Sequence, residues 1–157
     1  MNADLLKVLE TLDLPFPWET NAQGQIIMTP VNYDHSSRVT KLDRLLARIA
    51  PDWNTGSELG IVTADGVKAP DLVLVSEAYD ARHRGQAGYV TEAPEICIEV
   101  MSPSNTWPEM HHKMRLYFAV GALEVWVVDT EGRLSFFAPG NEALAQSRLI
   151  PEAPLSI

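Results

Sequence analysis

Residues 96–128 read ICIEVMSPSNTWPEMHHKMRLYFAVGALEVWVV, and the order of periods within them decides the fold. Ile96 to Met101 is apolar on both faces except at Glu99, the pattern of a strand inside a sheet. A helix begins at Pro108, a favoured first-turn residue, and ends before Gly121, a favoured terminator. Met110, Met114 and Tyr117 form its apolar stripe. Val125 to Val128 then returns to strand composition. Strand, helix, strand implies one parallel pair, because parallel neighbours need a long crossover connection.

Working outward, Glu58 to Thr63 and Val67 to Ser76 flank Asp65-Gly66, a strong two-residue hairpin signal. Before them, Val39, Leu42, Leu46 and Ile49 stripe a helix from Ser36 to Ile49, with Asp34 or Ser36 as N-cap. Residues 4–12 suit a short amphipathic helix stopped by Pro15 and Pro17. A hairpin follows, from Trp18-Glu19-Thr20 through Asn21 to Gly24 and back along Gln25 to Met28. At the other end, Thr130-Glu131-Gly132 turns into a last strand, Arg133 to Phe137, an exposed edge that could serve a homodimer. The expected fold is α/β, a mixed β-sheet flanked by helices in α-β-β-β-α-β order, with an added N-terminal hairpin and C-terminal strand. One domain spans 1–157, with residues 1–17 as a helical extension and 140–157 as a tail carrying little signal.

Composition narrows the function. With 157 residues and a formal charge of −9, the chain is neither a basic nucleic-acid coat protein nor a polybasic membrane binder. A local basic patch on an acidic body remains open. Cys97 is the single cysteine, and no Cys/His grouping has zinc-ligand spacing. Adjacent His111 and His112 cannot share one helix face. Charges interrupt every N-terminal apolar run, so no signal peptide or membrane span is expected and a cytoplasmic location is.

Three charged residues stand out. Glu99 falls on the face of Cys97 and Met101, where an unpaired carboxylate costs several kcal/mol in order of magnitude and calls for a cation or strong donors. Asp71 opens an apolar strand directly after Pro70. Two such acids on neighbouring strands can converge on a hard divalent cation, which wants oxygen ligands. Lys113 borders the stripe of the second helix. Each also has a plain structural account: turn chemistry for Asp71, a solvent-facing strand position for Glu99, and for Lys113 a snorkelling side chain paired with Glu109.

Taken together with their flanks, these residues carry a resemblance. The chain resembles the PD-(D/E)XK, restriction-endonuclease-like superfamily, and within it the Uma-two family of endonucleases. The similar stretches are Gly24 to Pro30, His35 heading the first long helix, Ala69-Pro70-Asp71, and Glu99-Val100-Met101-Ser102-Pro103-Ser104. Glu109, Lys113, Tyr117, Gly121 and Glu124 to Asp129 complete them, so the likeness covers roughly residues 24 to 130. It implies Mg²⁺ (or Mn²⁺) held by Asp71, Glu99 and the Val100 carbonyl. The superfamily's usual lysine position falls on Met101, and the resemblance moves that role to Lys113 on the helix. Glu109 would hold Lys113 or contact a second metal, and Tyr117 would support the site. Gln25 stands where the family often carries an acid.

The implied activity is metal-dependent endonuclease cleavage of nucleic acid, DNA in the first instance, with no membrane partner. Nucleic-acid contact would fall to Arg38, Lys41, Arg44 and Arg48 on the first long helix or to Arg82 and Arg84 after the Asp71 strand. Two alternatives stay open. One is a catalytically inactive nuclease fold acting as a binding module or scaffold, which the −9 charge favours. The other is a metal-dependent hydrolase of a small phosphate ester. Under the endonuclease reading, Lys113→Ala is expected to abolish cleavage while leaving metal binding and folding nearly intact.

Overall fold

The computed structural model of the chain describes residues 3–15, 17–28 and 31–157. Thr29 and Pro30, which close the hairpin stretch of the resemblance, lie outside them, as does Phe16. Helix α1 (Ala3–Glu10) leads into a hairpin of β1 (Trp18–Thr20) and β2 (Ile26–Met28). Helix α2 (Tyr33–Ile49) follows, then β3 (Trp53–Gly56), β4 (Ile61–Thr63), β5 (Gly66–Lys68) and β6 (Leu72–Ser76). After helix α3 (Glu77–His83) come β7 (Ile96–Val100), helix α4 (Trp107–Ala119), β8 (Glu124–Val128), β9 (Leu134–Ala138) and β10 (Glu142–Leu144).

Six strands form the main sheet in the order β10-β9-β8-β7-β6-β3. Only β7 and β8 run parallel, joined by α4 as the strand–helix–strand reading requires. Local chemistry explains α4. Thr106 and Glu109 cap its first turn reciprocally, Pro108 lies in that turn, and Gly121 just beyond the end takes φ +111°. Helix α2 starts three residues before Ser36, because Asn32, rather than Asp34 or Ser36, is its cap and accepts from the His35 amide.

The sheet buries both faces. Leu42 and Leu46 of α2 pack over Leu72, Leu74, Ile98 and Trp126. Met110, Met114 and Tyr117 of α4 pack over Cys97, Val125 and Val127 on the other side. Leu46 is fully buried, so Leu46→Ala should cost about 2–5 kcal/mol in a urea titration. A loss below ~1 kcal/mol would mean α2 is not docked on the sheet.

The Asp65-Gly66 turn forms, but its arms are shorter than their composition suggests. Strands β4 and β5 make a separate two-stranded sheet, and the apolar run from Val67 to Ser76 breaks at Ala69-Pro70-Asp71. Pro70 has no N–H for a ladder, so the chain leaves one sheet there and enters the other. Gly66 takes φ +86°, and a Cβ there would meet the Thr20 and Asn21 carbonyl oxygens at 2.5 Å. The close approach seats this turn against the N-terminal hairpin.

Strand β9 is paired on both sides, by β8 and β10, so the edge proposed for a homodimer is covered. The 140–157 segment is likewise built into the fold, with Ile150 and Ala153 in the α2-side core. Buried Glu124 fastens it. Its carboxylate accepts from Trp126 Nε1, Ser147 Oγ and the amides of Arg148 and Leu149, at 2.7–3.1 Å. Glu124→Ala strands these donors, at roughly 1–3 kcal/mol for each one that stays buried. Chemical denaturation should show a loss of at least ~3 kcal/mol, and an unchanged midpoint would refute the clasp.

Candidate active site

The β6–β7 register pairs Leu72 with Ile98. Carried on by one residue, it sets Asp71 against Glu99, as the alternation of both strands predicts. Both acids line a cavity of about 260 Å³ between the mouth of the sheet, the start of α2, α4 and the N-terminal hairpin. Glu19, His35, Val100 and Lys113 line it too, and Trp18, Ile27, Val31 and Val39 supply apolar wall.

Asp71 is held at both oxygens. Its Oδ1 lies 3.0 Å from His35 Nε2, and its Oδ2 accepts the Val100 amide at 2.6 Å. Helix α2 is placed so that its first turn delivers His35 to the sheet mouth. The Asp71 hydrogen bond holds His35 above the usual imidazole range, against the opposing effect of burial, with help from the Asp71 and Glu99 charges and the Val100 backbone.

Glu99 is 5 % exposed. Both its oxygens accept from Lys113 Nζ at 3.1 Å, and Oε1 also accepts the Tyr117 hydroxyl at 2.6 Å. Burial pushes its carboxyl up to about 7, and the nearby Asp71 and Glu19 charges add to that, while Lys113 and Tyr117 partly offset it. Burial by itself would lower Lys113, but the Glu99 and Glu19 carboxylates outweigh it and hold the ammonium above the ordinary lysine value. Burial raises the Tyr117 hydroxyl well above its normal range, so Tyr117 serves Glu99 as a donor.

Asp71, Glu99, Val100, Lys113 and Tyr117 therefore meet at one place. Lys113 reaches Glu99 directly, because the Met110, Met114 and Tyr117 stripe seats α4 on the sheet and leaves the lysine stem at the contact's edge. Glu109 does not join them. Its carboxylate accepts from the Thr106 amide at 2.6 Å and hydroxyl at 3.0 Å, closing the helix cap instead of holding Lys113. The residue that does hold Lys113 is Glu19, whose Oε1 accepts from Nζ at 2.8 Å and from the Ala69 amide at 3.1 Å. Gln25 stands where the resemblance implies an acid in many relatives. Its side-chain oxygen instead accepts a hydrogen bond from Asn21 Nδ2 across the hairpin turn, at 2.7 Å.

The basic residues lie elsewhere. Arg82 and Arg84 sit at α3 and its C-cap, beyond the far end of β6, an end that lies about 17 Å along the strand from Asp71 at ~3.3 Å per residue. Arg82 pairs with Glu92 and stacks over Tyr79, and Arg84 pairs with Asp80. On α2 the cavity is lined by His35, Ser36, Val39 and Thr40. At about 100° per residue, Lys41 and Arg48 fall on the side of the helix turned away from these. Arg38 reaches across to the Thr130 carbonyl at 2.6 Å.

For a divalent ion the chain offers two carboxylates and the Val100 carbonyl, a hard oxygen set whose chemistry fits Mg²⁺ or Mn²⁺. Among the described residues, no three His, Cys, Asp or Glu side chains are grouped as a finished metal cage. Nor, among them, is any helix long and apolar enough to cross a membrane.

Comparison with known proteins agrees with this architecture. A crystal structure from Anabaena variabilis ATCC 29413, described as a putative nuclease belonging to DUF820, superposes with a TM-score of 0.76. The superposition covers 97 % of this chain and 93 % of that one, and at 18 % identity it is a likeness of fold. No curated protein matches the chain. The sequence profile of the Uma2 family, described as "Putative restriction endonuclease", matches residues 10–155, past both ends of the 24–130 stretch. A profile match over nearly the whole chain establishes that this protein belongs to the Uma2 family.

Proposed function

We propose that the protein is a metal-dependent endonuclease that hydrolyses phosphodiester bonds of DNA in the cytoplasm. The observation that carries this is the placement of the Lys113 ammonium 3.1 Å from buried Glu99, with Asp71 opposite, at the floor of an open cavity. An ammonium beside an acid that can hold a cation can orient a water and offset negative charge on a phosphate. The Uma2 membership supports the same class of reaction.

Asp71, Glu99 and the Val100 carbonyl would hold Mg²⁺ or Mn²⁺, which supplies charge neutralisation and an acidified water when bound. The chain's own groups do the remaining work. Lys113, a compact charge on a flexible stem, orients the attacking water and stabilises negative charge on the phosphate. Tyr117 donates to one Glu99 oxygen, and His35 bonds one Asp71 oxygen, which keeps both carboxylates at the cavity.

The test is incubation of circular and linear DNA with Mg²⁺ or Mn²⁺, beside Asp71→Ala. The wild-type protein should nick or linearise circular DNA. Loss of a group that organises the reacting charges costs on the order of 10²–10³ in rate, so Asp71→Ala should be inactive in the same assay. A second reading, a nuclease fold that binds without cleaving, is favoured by the charge of −9 and by the lining, where Lys113 is already paired with two acids. DNA retention without cleavage under either metal would select it.

A further inference from the structure

The cavity contains one relation that the endonuclease reading leaves unused. Glu99 has both oxygens engaged, Oε1 by Lys113 and Tyr117 and Oε2 by Lys113. A divalent cation ligated by that carboxylate would sit beside the Lys113 ammonium, and like charges repel, so ligation is favoured by a lysine that can lean away from Glu99. Lys113 already has another place to go. Its Nζ is closer to Glu19, at 2.8 Å, than to either Glu99 oxygen, at 3.1 Å. An ammonium has three donors, so Nζ can pivot toward Glu19 while α4 and the lysine stem stay in place.

Glu19 is itself braced for this. It stands in β1, its side chain is 17 % exposed, and the oxygen that meets Lys113 also accepts the Ala69 amide. Ala69 lies two residues before Asp71, so Glu19 is tied to the segment that carries the first acid. We infer that Glu19 is a positioning residue, which takes Lys113 over from Glu99 so that the Glu99 carboxylate can turn to a divalent cation. This inference rests on the endonuclease reading for its cation, but its measurement is separate from cleavage.

The test is a double-mutant cycle read as Mn²⁺ affinity by isothermal titration on the full chain. The four proteins are wild type, Glu19→Gln, Lys113→Met and the double variant. Glu19→Gln keeps the side chain's size and an acceptor for Ala69, and removes only the charge that competes for Lys113. Residues that act on a metal ligand from behind typically change affinity about 10–100-fold, so Glu19→Gln should weaken Mn²⁺ binding about tenfold. In the Lys113→Met background the same change should cost less than about twofold, the scatter expected of independent sites. Should Lys113→Met fail to fold, Lys113→Gln, which keeps a donor for both acids, replaces it.

Equal weakening in both backgrounds would overturn the inference, since Glu19 would then act through its field alone. No weakening in either background would also overturn it, and so would a wild-type protein that binds no Mn²⁺. On DNA, Glu19→Gln should lower kcat and leave KM unchanged, because the substrate contacts are untouched. Mn²⁺ binding with no cleavage of any DNA defeats the endonuclease reading alone, and the cycle then still decides for or against Glu19.

Discussion

Glu99→Gln is expected to abolish cleavage and, at neutral pH, to make the protein more stable. In the folded chain the Glu99 carboxyl is raised to about 7 from an ordinary 4.5, chiefly by burial. A raised carboxyl means that the folded state keeps a proton that the unfolded chain releases. Its contribution to stability is therefore full below about 4.5 and is lost as the pH rises to about 7. At roughly 1.4 kcal/mol per pH unit, the loss across that window is on the order of 3 kcal/mol. His35, also raised, shifts stability in the same direction, since its contribution is lost as the pH climbs past its elevated value. Glutamine removes the Glu99 component, still accepts from Tyr117, and leaves Lys113 paired with Glu19. Denaturation midpoints recorded from pH 4.5 to 8 should fall for the wild type and fall less steeply for Glu99→Gln. Parallel curves would show that the carboxyl does not titrate in a buried site.

Lys113→Ala should likewise lose cleavage, and it should also lose stability, by about 3–5 kcal/mol, the usual cost of removing one partner from a buried ion pair. The earlier expectation of nearly intact folding does not survive the geometry. Lys113 bridges two acids, and without it Glu19 and Glu99 face each other with no cation between them. The carboxyl at Glu99 would then be pushed still further up and would be protonated at neutral pH. In a Glu99→Gln background the same alanine should cost less, because no buried carboxyl is left at residue 99 that must take up a proton. Urea titrations of the three variants measure this directly. Cleavage at the wild-type rate by Lys113→Ala would remove Lys113 from the mechanism and leave the fold untouched.

The parts of this protein that are legible along the chain are those whose cause is local. The crossover from β7 through α4 to β8 shows in the periods and in Pro108 and Gly121, which set backbone geometry within a turn or two. Glu99 announces itself because one acid interrupts an apolar alternation, and Asp71 because Pro70 precedes it. Short edge strands such as β3 and β10 are silent, since Trp53-Asn54-Thr55-Gly56 has no alternation and pairs only because β6 offers it a ladder.

The partners in the cavity required the folded chain. Glu19 lies 94 residues from Lys113, and His35 lies 36 residues from Asp71. Nothing in Trp18-Glu19-Thr20 marks its acid as buried against a lysine. The same holds for charge that points the wrong way. Arg82 and Arg84 follow the Asp71 strand in sequence, yet the direction of β6 carries them to the opposite end of the sheet. Sequence alone determined which residues could carry the chemistry, because burial and periodicity are written into neighbouring positions. Tertiary structure decided which of them meet, because strand direction and helix rotation are set by packing across the whole sheet.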